Sequence, residues 1–157
     1  MIHYFASILL AGAGATTLEK EPVVPEGFEE IVELYHYNPA VKAGNQLYLS
    51  GVMASVPGYD ITTGGEVDKE SMSTAFRAAF KEAEMVLTEA GASWSDVVDI
   101  TTFHTDIDAQ IYPFADVKDE FIKAPYPAWT AIDVDRLFSP EAITEIKIIA
   151  VMPDKAE

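Results

Sequence analysis

The strongest pattern in the chain is an apolar stripe that recurs every three or four residues between positions 72 and 90. Its members are Met72, Phe76, Ala79, Phe80, Ala83, Leu87 and Ala90. This spacing puts all of them on one side of an α-helix, so the segment predicts an amphipathic helix packed against a core. Asp68 precedes the stripe as a candidate N-cap, and Gly91 follows it as a candidate stop signal.

A second helix is predicted from Asp108, its candidate N-cap, with Pro113 tolerated in the first turn. Its inward side chains are Ile111, Phe114, Val117 and Phe121. Segments rich in β-branched and aromatic residues predict strands at 30–37, 45–54, 96–105, 129–134 and 143–150. The last two strands are predicted to form an antiparallel hairpin. Two helices and one mixed sheet predict an α+β two-layer sandwich, with the helices on one face of the sheet.

The alternation in the last two strands predicts which side chains share a face. One set is Ile146, Ile148 and Ala150, together with Thr130, Ile132 and Val134. If this set faces the helices, the opposite face carries Trp129, Ala131, Asp133, Glu145 and Lys147. A tryptophan near Ile149 on a face that no helix covers indicates contact with another chain.

Composition limits what the chain binds. Its 157 residues suit one domain, and 26 acidic against 10 basic residues give a net charge of −16. Such a charge repels phosphate backbones, so we expect no binding to nucleic acid. The absence of cysteine excludes disulfides and thiolate ligands. The three histidines are widely spaced, so neither a metal site nor a cofactor is expected.

The N-terminal residues 1–29 are treated as an extension of a domain at 30–157. Residues 5–15 are apolar and small, as in a signal peptide, but residues 1–4 carry no lysine or arginine. The apolar stretch is too short to cross a bilayer, so no membrane partner is expected. Two interpretations stay open: a surface extension of a cytosolic protein, or a signal peptide at residues 1–16 of a periplasmic or secreted one.

Four segments in order resemble blocks of the Rid family, the reactive intermediate deaminases, also called the YjgF family. They are residues 37–51, which end in Ser50-Gly51; residues 87–98; residues 126–134; and the pairs Arg136-Leu137 and Glu145-Ile146. The resemblance covers roughly residues 30–153. It implies a chorismate-mutase-like fold and a homotrimer that binds small metabolites in clefts between subunits.

The resemblance also implies the roles of particular residues. Family deaminases use a glutamate of the last strand to position water. Of the two acidic positions there, Glu145 is retained and is the catalytic candidate, whereas the second, the one often assigned to water, is Lys147 in this chain. The substrate-binding candidates carried over are Tyr37, Ser50, Gly51, Trp129 and Ala131. Trp129 stands where the family has an arginine that holds the substrate's carboxylate. Lys147 replaces a second acidic residue and Lys118 an asparagine, and both lysines are predicted to contact substrate as cations.

These departures leave two functions open. The first is a deaminase or hydrolase that adds water to small imines, enamines or related metabolites, with weak activity on the usual anionic imines. The second is a noncatalytic trimer that binds a small metabolite in the same cleft. A ribonuclease, as some relatives are labelled, fits poorly with a net charge of −16.

Overall fold

The computed structural model describes residues 19–153 of the chain. Three helices and seven strands follow one another in this range: β1 (Lys20–Val23), α1 (Glu29–Tyr35), β2 (Ala40–Ala43), β3 (Gln46–Leu49), β4 (Val52–Ser55), α2 (Lys69–Glu89), β5 (Val97–His104), α3 (Ile107–Phe121), β6 (Ala128–Asp133) and β7 (Ala142–Val151). A single 3₁₀ turn, Trp94–Asp96, precedes β5. None of the helices in this range is long and apolar enough to cross a bilayer. The possible signal peptide lies outside the described residues.

The strands form one mixed sheet in the order β1-β2-β3-β7-β5-β6, and β4 also pairs with β7. All pairs are antiparallel except β5 with β6, which are parallel. The predicted α+β architecture with helices on one face is confirmed. The predicted hairpin between the last two strands is wrong, because β5 lies between β6 and β7.

The predicted long helix is α2, and its ends follow from local chemistry. The Asp68 carboxylate accepts a hydrogen bond from the Ser71 amide at 2.9 Å, which satisfies a free N–H of the first turn. Gly91 ends the helix with φ +77°, and the Ala92 amide donates to the Leu87 carbonyl at 2.8 Å.

The N-terminal part of the fold differs from the prediction in two ways. Residues 29–35 form a helix rather than a strand, with Glu29 and Glu30 at the end where negative charge is favourable. The predicted strand 45–54 is two strands, β3 and β4, separated at Ser50-Gly51.

The start of α3 also differs from the prediction. The N-cap is Asp106 rather than Asp108, and its carboxylate accepts from the Ala109 amide at 3.1 Å. Because the helix begins earlier, Pro113 lies in its second turn rather than its first.

The core lies between the sheet and the pair α2 and α3. Phe80 stacks on Phe121 at 5.1 Å between ring centroids and packs against Phe114 at 5.4 Å. From β7, the predicted inward face is confirmed, since Ile146 and Ile148 have no exposed surface. Burial of these apolar side chains is the main force that holds the two layers together.

The prediction for β6 is wrong: its alternation is reversed. The Trp129 indole N–H donates to the Thr102 hydroxyl at 3.0 Å, and Trp129 packs on Phe114 of α3. The Asp133 carboxylate accepts from the Ile107 amide at the start of α3. Trp129, Ala131 and Asp133 therefore share the helix side of this edge strand, whereas Glu145 and Lys147 occupy the uncovered face.

Replacing Phe80 with alanine should lower the free energy of unfolding by about 3–5 kcal/mol, because it removes a fully buried ring from the aromatic cluster. Met85→Ala, on the exposed side of the same helix, should change it by only about 0.5 kcal/mol. Urea unfolding followed by circular dichroism measures both. Equal losses in the two variants would contradict this packing.

Candidate functional site

Four of the predicted site residues line one open cavity of about 460 Å³ on the part of the sheet formed by β4 and β7. The lining consists of Ile31, Tyr35, Tyr37, Ser50, Gly51, Met53, Phe138, Ser139 and Glu145. Tyr37, Ser50, Gly51 and Glu145 are thus brought together from the loop after α1, from the break between β3 and β4, and from β7.

The break at Ser50-Gly51 is a β-bulge. Tyr48 pairs with Ile149, but Val52 pairs with Ile146, so three residues on one strand oppose two on β7. A bulge bends its strand and locally interrupts the hydrogen-bond ladder. Here it lets one continuous segment, residues 46–55, follow the same edge of β7.

The Glu145 carboxylate lies against the backbone of Gly51. A Cβ atom built on Gly51 would lie 1.7 Å from Glu145 Oε1, far inside contact distance. Glycine leaves room for the carboxylate in this position, whereas a Cβ atom there would push the end of the Glu145 side chain aside. The side chain projects from the face of the sheet opposite to α2 and α3, beside Met53.

Ser50 fixes the loop that carries Tyr37. Its hydroxyl donates to the Asn38 carbonyl at 2.7 Å, and its amide donates to the Pro39 carbonyl at 2.9 Å. Since its proton is used in this bond, the Ser50 oxygen is left to accept hydrogen bonds. The preceding residue of the loop, His36, ends α1 in the left-handed conformation, with φ 54°.

Tyr37 stays protonated in this setting. Burial raises the pKa of its hydroxyl, and the carboxylates of Glu82 and Glu145 and the neighbouring Tyr35 raise it further. A neutral phenol both donates and accepts hydrogen bonds. The cavity therefore combines a carboxylate with a hydroxyl donor.

Sequence reasoning missed the apolar wall of this cavity. Tyr35 and Phe138 meet edge to face at 6.0 Å, and 73% of Phe138 is exposed. The sequence pattern predicts a strand at Tyr35, and Phe138 lies in a loop, where side-chain periodicity carries no information. Arg136-Leu137 marks the loop in the motif, but nothing in the sequence indicates that Phe138 faces α1.

The remaining site candidates lie elsewhere on the chain. The Lys118 ammonium is 5.3 Å from the centre of the Trp129 ring and 2.6 Å from the Asp119 carboxylate. Ala131 follows Trp129 on the same side of β6. Three strand spacings separate β6 from β4, which is roughly 14 Å.

Lys147 belongs to neither group. It is exposed on β7, two residues after Glu145 and on the same uncovered face, opposite Thr101 of β5. One chain thus brings together four of the eight predicted residues, with a second cluster of Lys118, Trp129 and Ala131 at the edge of the sheet.

Comparison with known proteins gives consistent matches. The profile of the family described as endoribonuclease L-PSP matches residues 28–152. The RutC family protein YjgH of Escherichia coli is 32% identical over 139 residues, 88% of this chain and 99% of the relative. The 2-iminobutanoate/2-iminopropanoate deaminase of Dermatophagoides farinae is 30% identical, over 88% of this chain and 94% of the relative.

A solved structure of protein YjgH superposes with a TM-score of 0.71 at 33% identity. The match covers 88% of this chain and all of that one. The arrangement of sheet and helices described above is therefore that of the YjgF structures.

The hydroxyl of Tyr37 should titrate above the ordinary tyrosine pKa of about 10. The difference in phenolate absorbance between wild type and Tyr37→Phe measures it. Glu82→Gln and Glu145→Gln should each lower the midpoint, because each removes a negative charge that opposes ionisation. Glu89→Gln, an exposed change on α2, is the control and should leave it unchanged. A midpoint that neither Glu82→Gln nor Glu145→Gln moves would contradict the placement of Tyr37 near the two carboxylates.

Proposed function

This chain belongs to the endoribonuclease L-PSP family, also called the YjgF, Rid or RutC family, and we propose that it hydrolyses small imines, enamines or related metabolites. In this reaction water adds to the carbon of a C=N bond, the C–N bond breaks, and ammonia and a carbonyl compound are released. The mite relative, named as an imine deaminase, supports this chemistry at the level of the family.

The observation that carries the proposal is the Glu145 carboxylate held against Gly51 in an open cavity beside Tyr37 and Ser50. A carboxylate in this position accepts a hydrogen bond from water and takes up its proton as oxygen attacks carbon. The protonated Tyr37 hydroxyl is a donor for the departing nitrogen. The Ser50 oxygen is an acceptor for an N–H group of the substrate.

The complete site requires a second copy of the chain. Glu145 and Trp129 lie in separate clusters, and Trp129 does not line the cavity that holds Glu145. The face of β7 that carries Glu145, Lys147 and Ile149 is not covered by α2 or α3. We infer that the protein is a homotrimer whose clefts join the cavity of one subunit to the Trp129 edge of the next.

Trp129 determines which ligands suit this cleft. An arginine holds a carboxylate with two parallel hydrogen bonds, and an indole provides none of them. The Lys118 ammonium is close to the Trp129 ring, but it already forms an ion pair with Asp119. Lysine also lacks the planar guanidinium with which arginine makes two parallel hydrogen bonds. A flat aromatic ring instead favours stacking. We therefore infer that the substrate is planar and weakly anionic, with Trp129, Ala131, Lys118 and Lys147 contributing to its binding.

The second candidate function is a trimer that binds such a metabolite without turnover. Lys147 favours it, because this lysine stands at the second acidic position of the last strand, where the resemblance implies water is held. In either case we infer a small-molecule partner and no nucleic acid or membrane. The net charge of −16 opposes the ribonuclease activity in the family's description. We also infer a cytosolic location, as the resemblance implies.

A homotrimer predicts a mass in solution of about three times 17.2 kDa by light scattering at micromolar concentration. Ile149→Asp should lower the mass to that of one chain, because it places a charge on the uncovered face of the sheet. Met85→Asp, on the exposed side of α2, is the matched control and should leave the trimer intact. A monomeric wild type would reject the shared cleft.

Hydrolysis is tested by generating imines with an amino-acid oxidase and following ketoacid formation above the spontaneous rate. The wild type should act weakly on the alanine-derived imine and faster on the phenylalanine-derived one, which can stack on Trp129. Trp129→Arg should raise the rate on the alanine-derived imine, because the arginine would bind its carboxylate. A hydrogen bond to a charged group contributes about 1.5–3 kcal/mol, which corresponds to a roughly ten- to a hundredfold increase.

Glu145→Gln and Gly51→Ala should both abolish activity, the first by removing the base and the second by displacing its carboxylate. Glu141→Gln, a nearby exposed change, is the control. Full activity of Glu145→Gln would reject the hydrolytic role. Absence of turnover by the wild type, with metabolite binding retained, would favour the second candidate function.

A further inference from the structure

Six polar side chains form a continuous chain of hydrogen bonds between α3 and the sheet. They are Trp129, Thr102, His104, Thr144, Gln110 and Thr105. Thr102, His104 and Thr144 have no exposed surface. Within residues 19–153, every buried side-chain nitrogen or oxygen has a hydrogen-bond partner. The proposed chemistry of Glu145 uses none of these groups.

Which group donates and which accepts in each hydrogen bond can be worked out starting from Thr105, at one end of the chain. The Thr105 hydroxyl donates to the Ile143 carbonyl at 3.1 Å, because a carbonyl only accepts. The Thr105 oxygen therefore accepts from the Gln110 amide nitrogen, also at 3.1 Å. This orients the amide so that its oxygen accepts from the Thr144 hydroxyl at 3.1 Å.

With the Gln110 amide in this orientation, the hydrogen bonds select one neutral tautomer of His104. Since the Thr144 proton is used on Gln110, the Thr144 oxygen accepts from His104 Nδ1 at 3.1 Å. In a neutral imidazole Nε2 is then an acceptor, and the Thr102 hydroxyl donates to it at 2.9 Å. The Thr102 oxygen is left to accept the indole N–H of Trp129 at 3.0 Å.

A charged His104 would break this order. Both ring nitrogens of a charged His104 would donate, so the Thr102 oxygen would have to accept from His104 Nε2 and from the Trp129 indole N–H. The Thr102 hydroxyl could then donate only to the Thr130 carbonyl, which is 3.5 Å away. Burial lowers the pKa of His104, and Gln110 and Asp133 oppose this effect only in part. The neutral ring therefore agrees with the geometry of its partners.

The chain of hydrogen bonds ends on a side chain that is otherwise loosely held. Trp129 lies on an edge strand with 36% of its surface exposed, against Phe114 at 5.7 Å and Lys118 at 5.3 Å. These contacts limit the tilt of the ring, whereas the bond from its nitrogen selects one rotation about the Cα–Cβ and Cβ–Cγ bonds.

We propose that Thr102 and His104 are positioning residues that hold the Trp129 indole at a single rotation, as a rigid wall that selects planar ligands. The inference rests on the proposed function, in which Trp129 lines the ligand cleft. A ring fixed before the ligand arrives loses little conformational freedom on binding, which strengthens stacking on a flat partner.

The orientation of the ring is tested without a ligand. In a Trp94→Phe background Trp129 is the only tryptophan, and its fluorescence anisotropy decay measures local motion. Thr102→Val, nearly equal in shape, should add a fast depolarising component, and Thr102→Ser should restore the slow decay. Identical decays for the valine variant and the parent would overturn the positioning role.

Nuclear magnetic resonance of ¹⁵N-labelled wild type tests the role of His104 without any substitution. The shifts should show a neutral ring with its proton on Nδ1 at neutral pH. A proton on Nε2 would overturn the proposed direction of hydrogen bonding, even if Thr102→Val failed to fold.

Ligand selection is tested with two neutral probes of similar size, planar benzamide and non-planar cyclohexanecarboxamide, by calorimetry. The wild type should prefer benzamide. Thr102→Val should reduce that preference roughly two- to tenfold, the effect of one neutral hydrogen bond, and Thr102→Ser should retain it.

A double-mutant cycle separates positioning from general destabilisation. In a Trp129→Phe background, which has no indole N–H, Thr102→Val should no longer change the preference. An equal effect of Thr102→Val in both backgrounds would overturn the proposal. If the wild type binds neither probe, the selective wall and the proposed cleft are both rejected, whereas the anisotropy experiment still decides whether Thr102 positions the indole.

Discussion

The structure depends on the pairing of β7 (Ala142–Val151) with strands on both of its edges. One edge pairs with β5, and the other pairs first with β4 and then with β3. Because β3 and β4 are successive parts of one segment, that segment must absorb an extra residue to stay in register, and it does so at Ser50-Gly51. The bulge lies beside Glu145 of β7. Neighbouring residues of this one strand therefore place Glu145 in the cavity and Ile146 in the core.

Much of the fold is predictable because one-sided burial leaves a periodic trace in the sequence. The long helix and the inward face of β7 are found in this way. The strand predicted at residues 30–37 is wrong, because helix α1 occupies Glu29–Tyr35. A helix of only two turns shows too little periodicity to be distinguished from a strand by sequence pattern. The candidate site is predictable only in part, as a set of residues that the structure brings into one cavity. Motif resemblance locates Glu145 and Gly51, but the meeting of Phe138 with α1 depends on tertiary packing alone.

The error in β6 has a specific cause. The prediction assumes that apolar residues face the helices, but an edge strand is exposed on both sides. Its buried neighbour β5 presents polar side chains to the helix layer, Thr102 and His104, which require partners there. Trp129 meets that requirement with its N–H and covers Phe114 with its ring. Demand for hydrogen bonds in the core, rather than hydrophobicity along β6, thus determines which way this strand faces.

The two parts of the proposed site respond differently to substitution. A side chain at Gly51 would push the Glu145 carboxylate out of its present position, so substitution there acts on the candidate catalytic group. Trp129 is bound to the core through one hydrogen bond and one aromatic contact, on a strand that is otherwise exposed. We expect its replacement to affect mainly the proposed cleft, because the largest buried side chains lie between α2, α3 and the inner strands. A fold with this division can retain the chemistry of water addition at β4 and β7 while the residue that selects the ligand changes on β6. In the proposed cleft, an indole at this position is therefore compatible with an intact cavity around Glu145, and it would shift recognition from charge to shape.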